Sequence, residues 1–519
     1  MNKRILLVIV LLYTICTCIY SQDEYSPEDI FVINSFAFNV NGITRPYALI
    51  RTAELYTGEE ITGFSALEEY IQDKTQILLN ERILEIVTID YTVREVQENG
   101  TYPVDFVVNV KDTWNIIAIP RPQYSSNTGF EITIKARDYN FLGTMQSLRL
   151  DLGYRYDQHN RTFFNIMLDV DYPFRLFDLD WDFNFDHHFD YRPNLRLPLF
   201  YKNVTGLSVE LPVKLTTLTI GINESFILNE TNSESNMLLY PELSDIQDGL
   251  YMTSNPYVSW RIPTGVNIGS NWELVYTPRI SATFYHEFPQ WPLDITRKGP
   301  YMSFSHSLGF GRIDFLGNFQ SGFEAGISNS FTYNFTELKD HNQLNSYLGI
   351  TGKWHITFDN VFGISSRLMS RHWFLTQNGN GSAGDVLRGI LVNDVFADYM
   401  LSLNLDISVK ILEFRLSNLF PKTNWRVLNF DLHAVPFLDA AIYRSPYNEE
   451  NFSGTDFSFK NMLVTCGMEL IVFPVFFRSL FLRASLGLNL STLTHKFKGL
   501  ENGKEMGRYE IFIGTELHY

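Results

Sequence analysis

The chain has 519 residues, more than one ordinary globular domain needs, so two or more units are expected. Apolar residues make up 45%, aromatic residues 15% and charged residues 19%, which excludes a disordered chain and suits a β-barrel with aromatic girdles. The net charge of -17, with no stripe of Lys and Arg, excludes nucleic acid as a partner.

Met1-Asn2-Lys3-Arg4 precedes an apolar run from Ile5 to about Tyr13, and small and polar residues follow up to Ser21-Gln22. This is the pattern of a secretory signal peptide, so residues 1–21 are expected to be removed and 22–29 to form a short linker. Cys16 and Cys18 lie in that segment, which leaves Cys466 alone and excludes an internal disulfide in the mature chain. No other stretch has the roughly 18 to 20 consecutive apolar residues of a membrane helix. An exported chain without one is periplasmic, secreted or a barrel.

Residues 30–119 mix periods. Phe31, Ile33, Phe36 and Phe38 suggest a strand before the turn Asn41-Gly42, and Thr44 is placed to cap a helix through Leu55 with Pro46 in its first turn. Leu67, Tyr70, Ile71, Ile77 and Leu78 give a second helix over about 65–80. Alternating strands over 86–96 and 104–110 flank Asn99-Gly100. The order strand, helix, helix, strand, strand resembles a POTRA module, a periplasmic polypeptide-binding domain, and one copy fits.

Pro120-Arg121-Pro122 then marks a linker over 120–127, after which helical periodicity disappears and strict alternation runs from 128 to 519. In the segment 177–186, Phe177, Leu179, Trp181, Phe183 and Phe185 share one face, while Asp178, Asp180, Asp182, Asn184 and Asp186 share the other. One face suits lipid and the other water. Leu401, Leu403, Leu405, Ile407 and Val409 likewise oppose Ser402, Asn404, Asp406, Ser408 and Lys410. About sixteen such segments imply a mainly β fold, a 16-stranded antiparallel transmembrane barrel preceded by the small α+β domain. The polar inserts 229–247, 376–385 and 446–457 are expected as its surface loops. A soluble two-sheet protein also alternates, but not over so long a run.

In the final segment Tyr509, Ile511, Ile513, Thr515, Leu517 and Tyr519 oppose Glu510, Phe512, Gly514, Glu516 and His518. Gly514, Leu517 and the terminal Tyr519 resemble the β-signal by which barrel precursors are recognised through strand addition. Phe512 stands where that pattern usually has a polar residue.

Val386-Leu387-Arg388-Gly389-Ile390 follows a Gly-rich stretch, and Asn140-Phe141-Leu142-Gly143 lies in the expected first turn of the barrel. On these motifs the chain resembles the superfamily of BamA/TamA-type assembly factors and two-partner secretion transporters. The resemblance implies that the loop carrying Arg388 and Gly389 folds into the lumen and that Arg388 meets an acidic residue of the wall, here Asp439 of Phe437-Leu438-Asp439-Ala440-Ala441. Ile390 replaces the family's aromatic and Ala441 its glycine. Five strand-like segments follow Arg388, which puts the loop between strands eleven and twelve.

The common catalytic and nucleotide-binding motifs are absent, so no enzyme, catalytic residue or cofactor is expected. Asp186-His187-His188-Phe189-Asp190 reads as a loop or strand end and not as a metal site, because adjacent strand residues point to opposite faces. The resemblance implies unfolded outer-membrane or secreted polypeptides as clients, the outer membrane as location and a periplasmic N-terminal domain. Accessory periplasmic or lipoprotein partners are compatible with it. A passive porin or an adhesin-like surface barrel shares the signal, the alternation and the terminal aromatic.

Overall fold

The computed structural model describes residues 25–125, 129–156, 162–193, 198–229, 249–268, 272–291, 299–336, 343–374, 381–391, 394–420, 428–444, 457–476, 481–493 and 507–514. The expected signal peptide, Leu517 and Tyr519, and most of the three long inserts lie outside these residues. The chain divides into two compact units, the first ending at Asp112 and the second beginning at Thr113.

In the first unit, β1 (Ile30–Asn41), β2 (Glu60–Thr62), β3 (Leu84–Val93) and β4 (Thr101–Asp112) form one sheet in the order β2-β1-β4-β3. β1 and β4 run parallel, and the other pairs run antiparallel. Helices α1 (Pro46–Ala53) and α2 (Phe64–Asn80) lie between β1 and β3 in sequence. Phe31, Ile33, Leu49, Leu67, Leu78, Leu84, Val104, Phe106 and Val108 are buried together as its core. Proline begins α1 as expected. Just before it, the Thr44 hydroxyl donates to Asp112 Oδ1 at 2.7 Å and ties the helix entry to the end of β4.

On the opposite face of the sheet, Asp105 accepts from Ser35 Oγ at 2.5 Å and Asn34 Nδ2 at 2.6 Å, and it pairs with Arg94. These bonds, Ser35's first, hold its carboxyl below the ordinary value for aspartate. The stabilisation is therefore present above the unfolded-state value and is lost as the pH falls through the lower folded-state value. Hydrogen exchange of β1 and β4 in the full chain should speed up over that acidic window, and Asp105→Asn should remove the pH dependence. An unchanged pH profile in that variant would contradict the assignment.

The second unit is a closed barrel of 18 strands. Its first strands are β5 (Ile116–Ser125), β6 (Gly129–Asp138), β7 (Leu148–Tyr156), β8 (Thr162–Leu176), β9 (Leu179–Tyr191) and β10 (Leu199–Val213). There follow β11 (Thr216–Leu228), β12 (Leu250–Ile268), β13 (Trp272–Glu287), β14 (Tyr301–Leu316), β15 (Phe319–Asn334), β16 (Leu344–Phe358) and β17 (Phe362–Phe374). A two-residue pair, β18 (Gly381–Ser382) with β19 (Phe396–Ala397), stands outside the wall. β20 (Tyr399–Phe414), β21 (Phe430–Arg444), β22 (Leu463–Pro474), β23 (Leu482–Asn489) and β24 (Tyr509–Gly514) complete it. Each wall strand pairs antiparallel with its neighbours in sequence, and β24 closes on β5 through Phe512–Ser125 and Ile513–Tyr124.

This up-and-down order puts all the turns after even-numbered strands from β6 to β16 at one end of the barrel. Those turns have two or three residues, as in Phe177–Asp178, apart from the nine between β6 and β7, whereas the strands that bound the long inserts meet them at the other end. The polarity of the wall is inverted relative to a soluble protein. On β23, Leu482, Leu486 and Leu488 are 45%, 46% and 39% exposed, while Arg483, Ser485 and Asn489 are buried. Leaving leucine outside and burying arginine inside is favourable where the outside is hydrocarbon, so the barrel is read as membrane-spanning.

The count of 18 corrects the expected sixteen, and the loop bearing Arg388 falls between the thirteenth and fourteenth wall strands instead of between the eleventh and twelfth. Residues 120–127, expected as a linker, belong largely to β5, and the first unit stops at Asp112 instead of at 119. Pro120 and Pro122 cannot donate to a ladder, so the sequence reads as a connector, yet every residue of β5 pairs with β6. The segment beginning at Phe177 is also corrected: Phe177 and Asp178 form the turn and the strand starts at Leu179. Both turn residues have positive φ, 54° and 59°, without a glycine, so nothing in the alternation marks the break.

Candidate functional site

Between β17 and β20, residues 381–391 and 394–398 fold inward as a loop with its own small core. β18 and β19 pair at its base, and Ala383 N donates to Val395 O at 2.8 Å. Ala383, Val386, Leu387, Ile390, Val395 and Ala397 pack against wall residues including Met369, Ala441, Tyr443 and Leu463. Burying these apolar side chains on the lumenal face fixes the loop before any charge is considered.

At the tip, Arg388 meets Asp439 of β21 as a fork: Nε donates to Oδ2 at 3.0 Å and Nη2 to Oδ1 at 2.7 Å. The backbone N–H of Arg388 also donates to Oδ2, at 3.0 Å. Arg388 is 3% exposed and Asp439 0%. The guanidinium lies 3.8 Å above the ring of Phe437, two residues from Asp439 on the same face of β21. The arginine and aspartate anticipated from sequence are thus brought together, with Gly389 beside them.

Further groups converge that the sequence reading did not single out. Asp406 on β20 accepts from Arg388 Nη2 at 2.6 Å, and Glu469 on β22 lies 3.4 Å from Nη1. Arg483 on β23 donates to Glu469 at 3.1 Å and rests 4.2 Å above Phe512 on β24. Gly389 N donates to Glu510 Oε2 on β24 at 2.8 Å, and Asn404 Nδ2 donates to Val386 O at 2.8 Å. The loop tip is therefore tied directly to β20, β21, β22 and β24, and to β23 through the Arg483–Glu469 pair. Asp406 and Glu510 were on faces already read as polar; their partners follow from register, which alternation does not specify.

Gly389 has φ +88°, and a Cβ there would sit 3.0 Å from the backbone carbon of Gly487 on β23. A Cβ on Gly487 would lie 2.6 Å from Gly389 N. Backbone meets backbone, which only a pair of glycines allows. Room for close approach comes from Gly487 and not from position 441, where Ala441 joins the loop's apolar core. Ile390 is also in that core, and Phe437 supplies the ring against Arg388. Phe512, the departure in the terminal pattern, seats Arg483. Gly514 is buried beside Phe512 and Arg121.

His188 and Asp190 lie near the end of β9 on one face, with His188 Nε2 2.8 Å from Asp190 Oδ1 and Arg192 Nη2 2.5 Å from Asp190 Oδ2. The aspartate is occupied by an ion pair, and no metal-binding group of three or more side chains occurs among the described residues.

No protein-family model matches the chain, and no curated protein matches it by sequence. Among solved structures, CdiB from Acinetobacter baumannii is similar at 12% identity and a TM-score of 0.46, over 94% of this chain and 74% of that one. CdiB from Escherichia coli is similar at 10% identity and a TM-score of 0.44, over 96% of this chain and 92% of that one. BamA from Haemophilus ducreyi lacking POTRA domains 1–3 is similar at 14% identity and a TM-score of 0.39, over 93% and 84%.

Proposed function

We propose that the protein is an outer-membrane insertion or translocation factor for polypeptides, of the BamA and two-partner secretion type. The loop held by Arg388 within the lumen carries this reading. A passive pore gains nothing from burying an arginine among three carboxylates in its own channel, since desolvating such a cluster is costly unless every member is paired. A barrel that must hold one arrangement of its last strands and be able to leave it gains a defined, releasable contact. In this reading Arg388, Gly389 and Asp439 are the loop lock and perform no chemistry.

The N-terminal unit takes the place of a POTRA domain in the periplasm, where the edge of its sheet adds a strand of client chain. β5 and β24 form the seam beside which the client inserts or passes. Gly514, Leu517 and Tyr519 serve as the protein's own assembly address. Polypeptides of the outer membrane or secreted chains are the clients.

Depletion tests the reading. As the protein is lost, the amount of at least one other barrel or secreted protein in or beyond the outer membrane should fall. An unchanged outer-membrane and secreted protein profile, with a large steady conductance from the purified barrel, would favour a passive porin instead.

A further inference from the structure

The hairpin of β14 and β15 does not stay in the wall. Gly311 and Gly322, one on each strand and two register positions apart, have φ of +97° and +128°. A Cβ on Gly311 would lie 2.1 Å from Phe323 O, and one on Gly322 would lie 2.3 Å from Arg312 O. Both strands thus bend within two register positions of each other, at positions that only glycine can occupy.

The bend carries residues 312–321 into the lumen. Asn318 Nδ2 donates to Asp431 Oδ2 on β21 at 2.9 Å, although β21 is four places round the wall from β15, about 19 Å at the usual strand spacing. The Phe319 ring lies tilted 4.6 Å from that of His433, which lies 4.7 Å from Phe473 on β22. All three are nearly fully buried. Asp431 is held in turn by Arg415 Nη2 at 2.7 Å, and Thr357 Oγ1 donates to Gln320 O at 2.8 Å. Gly363 on β17 leaves the space that the Phe319 ring crosses. His433 precedes Asp439 on β21 by six residues, so this contact is about 20 Å nearer the short-turn end than the Arg388 fork.

We propose that the β14–β15 tip is a second lumenal latch, which narrows the short-turn mouth independently of the Arg388 loop and swings back toward the wall when solute or extended polypeptide passes. An aromatic cluster on a glycine-bent hairpin is suited to this, because its contacts are made and broken as a unit and exclude water while closed. The proposal rests on the membrane-spanning reading of the barrel.

The test uses Asn318→Cys with Asp431→Cys in the full chain carrying Cys466→Ser, and a short dithiol-reactive cross-linker that a reductant cleaves. The pair should cross-link in high yield within one chain. In planar bilayers, with Arg388→Ala added so that the loop does not limit the current, cross-linking should lower the conductance severalfold and reductant should restore it. Failure to cross-link in the otherwise native chain, or a current that ignores the linker, overturns the latch alone. A chain that carries no current in either state overturns the latch together with the membrane-spanning reading.

Discussion

Arg388→Ala is expected to produce the largest loss of any single substitution in the loop, about 3–5 kcal/mol, because it leaves buried carboxylates without their cation. Asp439 loses all three bonds that Arg388 gives it, and Asp406 loses a 2.6 Å partner. Glu469 retains Arg483. Urea unfolding of the barrel from lipid vesicles should shift accordingly, and the loop should become cleavable by added protease. Arg388→Lys should recover little, since a point charge cannot reproduce the two-pronged contact with Asp439 or the packing on Phe437. Asp439→Ala should cost a similar amount, and the double variant should cost scarcely more than either single change. Additive losses would mean that the two residues act separately.

Gly487→Val is expected to have a large effect as well, though it removes no bond. Its Cβ would fall 2.6 Å from Gly389 N and 2.7 Å from Gly389 Cα, and both neighbours are backbone that cannot step aside. Overfilling a packed interior costs about 1–3 kcal/mol. Here the relief available is to lift the loop tip, which strains the Arg388 fork and the Gly389–Glu510 bond. Protease sensitivity of the loop should therefore approach that of Arg388→Ala. In the Arg388→Ala background, where the tip is already released, Gly487→Val should add little. A full additional loss there would show that the valine harms the wall itself.

Much of the architecture was legible because a lipid-facing barrel writes a period of two into its sequence, as on β20, where Leu401 to Val409 and Ser402 to Lys410 separate cleanly. Boundaries were less legible. Phe177 and Asp178 continue the alternation through a turn, and the prolines of β5 disguise a strand as a connector. For the site, the fork between Arg388 and Asp439 could be anticipated from two short motifs. Asp406, Glu469, Arg483, Gly487 and Glu510 could not, since each lies on a different strand or register position and only closure of the barrel brings them to one loop. The kink at Gly311 and Gly322 was hidden for the same reason: each is an isolated glycine until the register brings them within two positions of each other.

The proposed function requires that this barrel handle other polypeptides. The most direct measurement is the rate at which an unfolded outer-membrane barrel protein inserts into lipid vesicles containing the purified full chain, compared with vesicles lacking it. Insertion should be faster with the native chain, and most of that gain should be lost with Arg388→Ala. Equal rates with and without the protein, for barrel clients and for transport of a secreted chain alike, would contradict it.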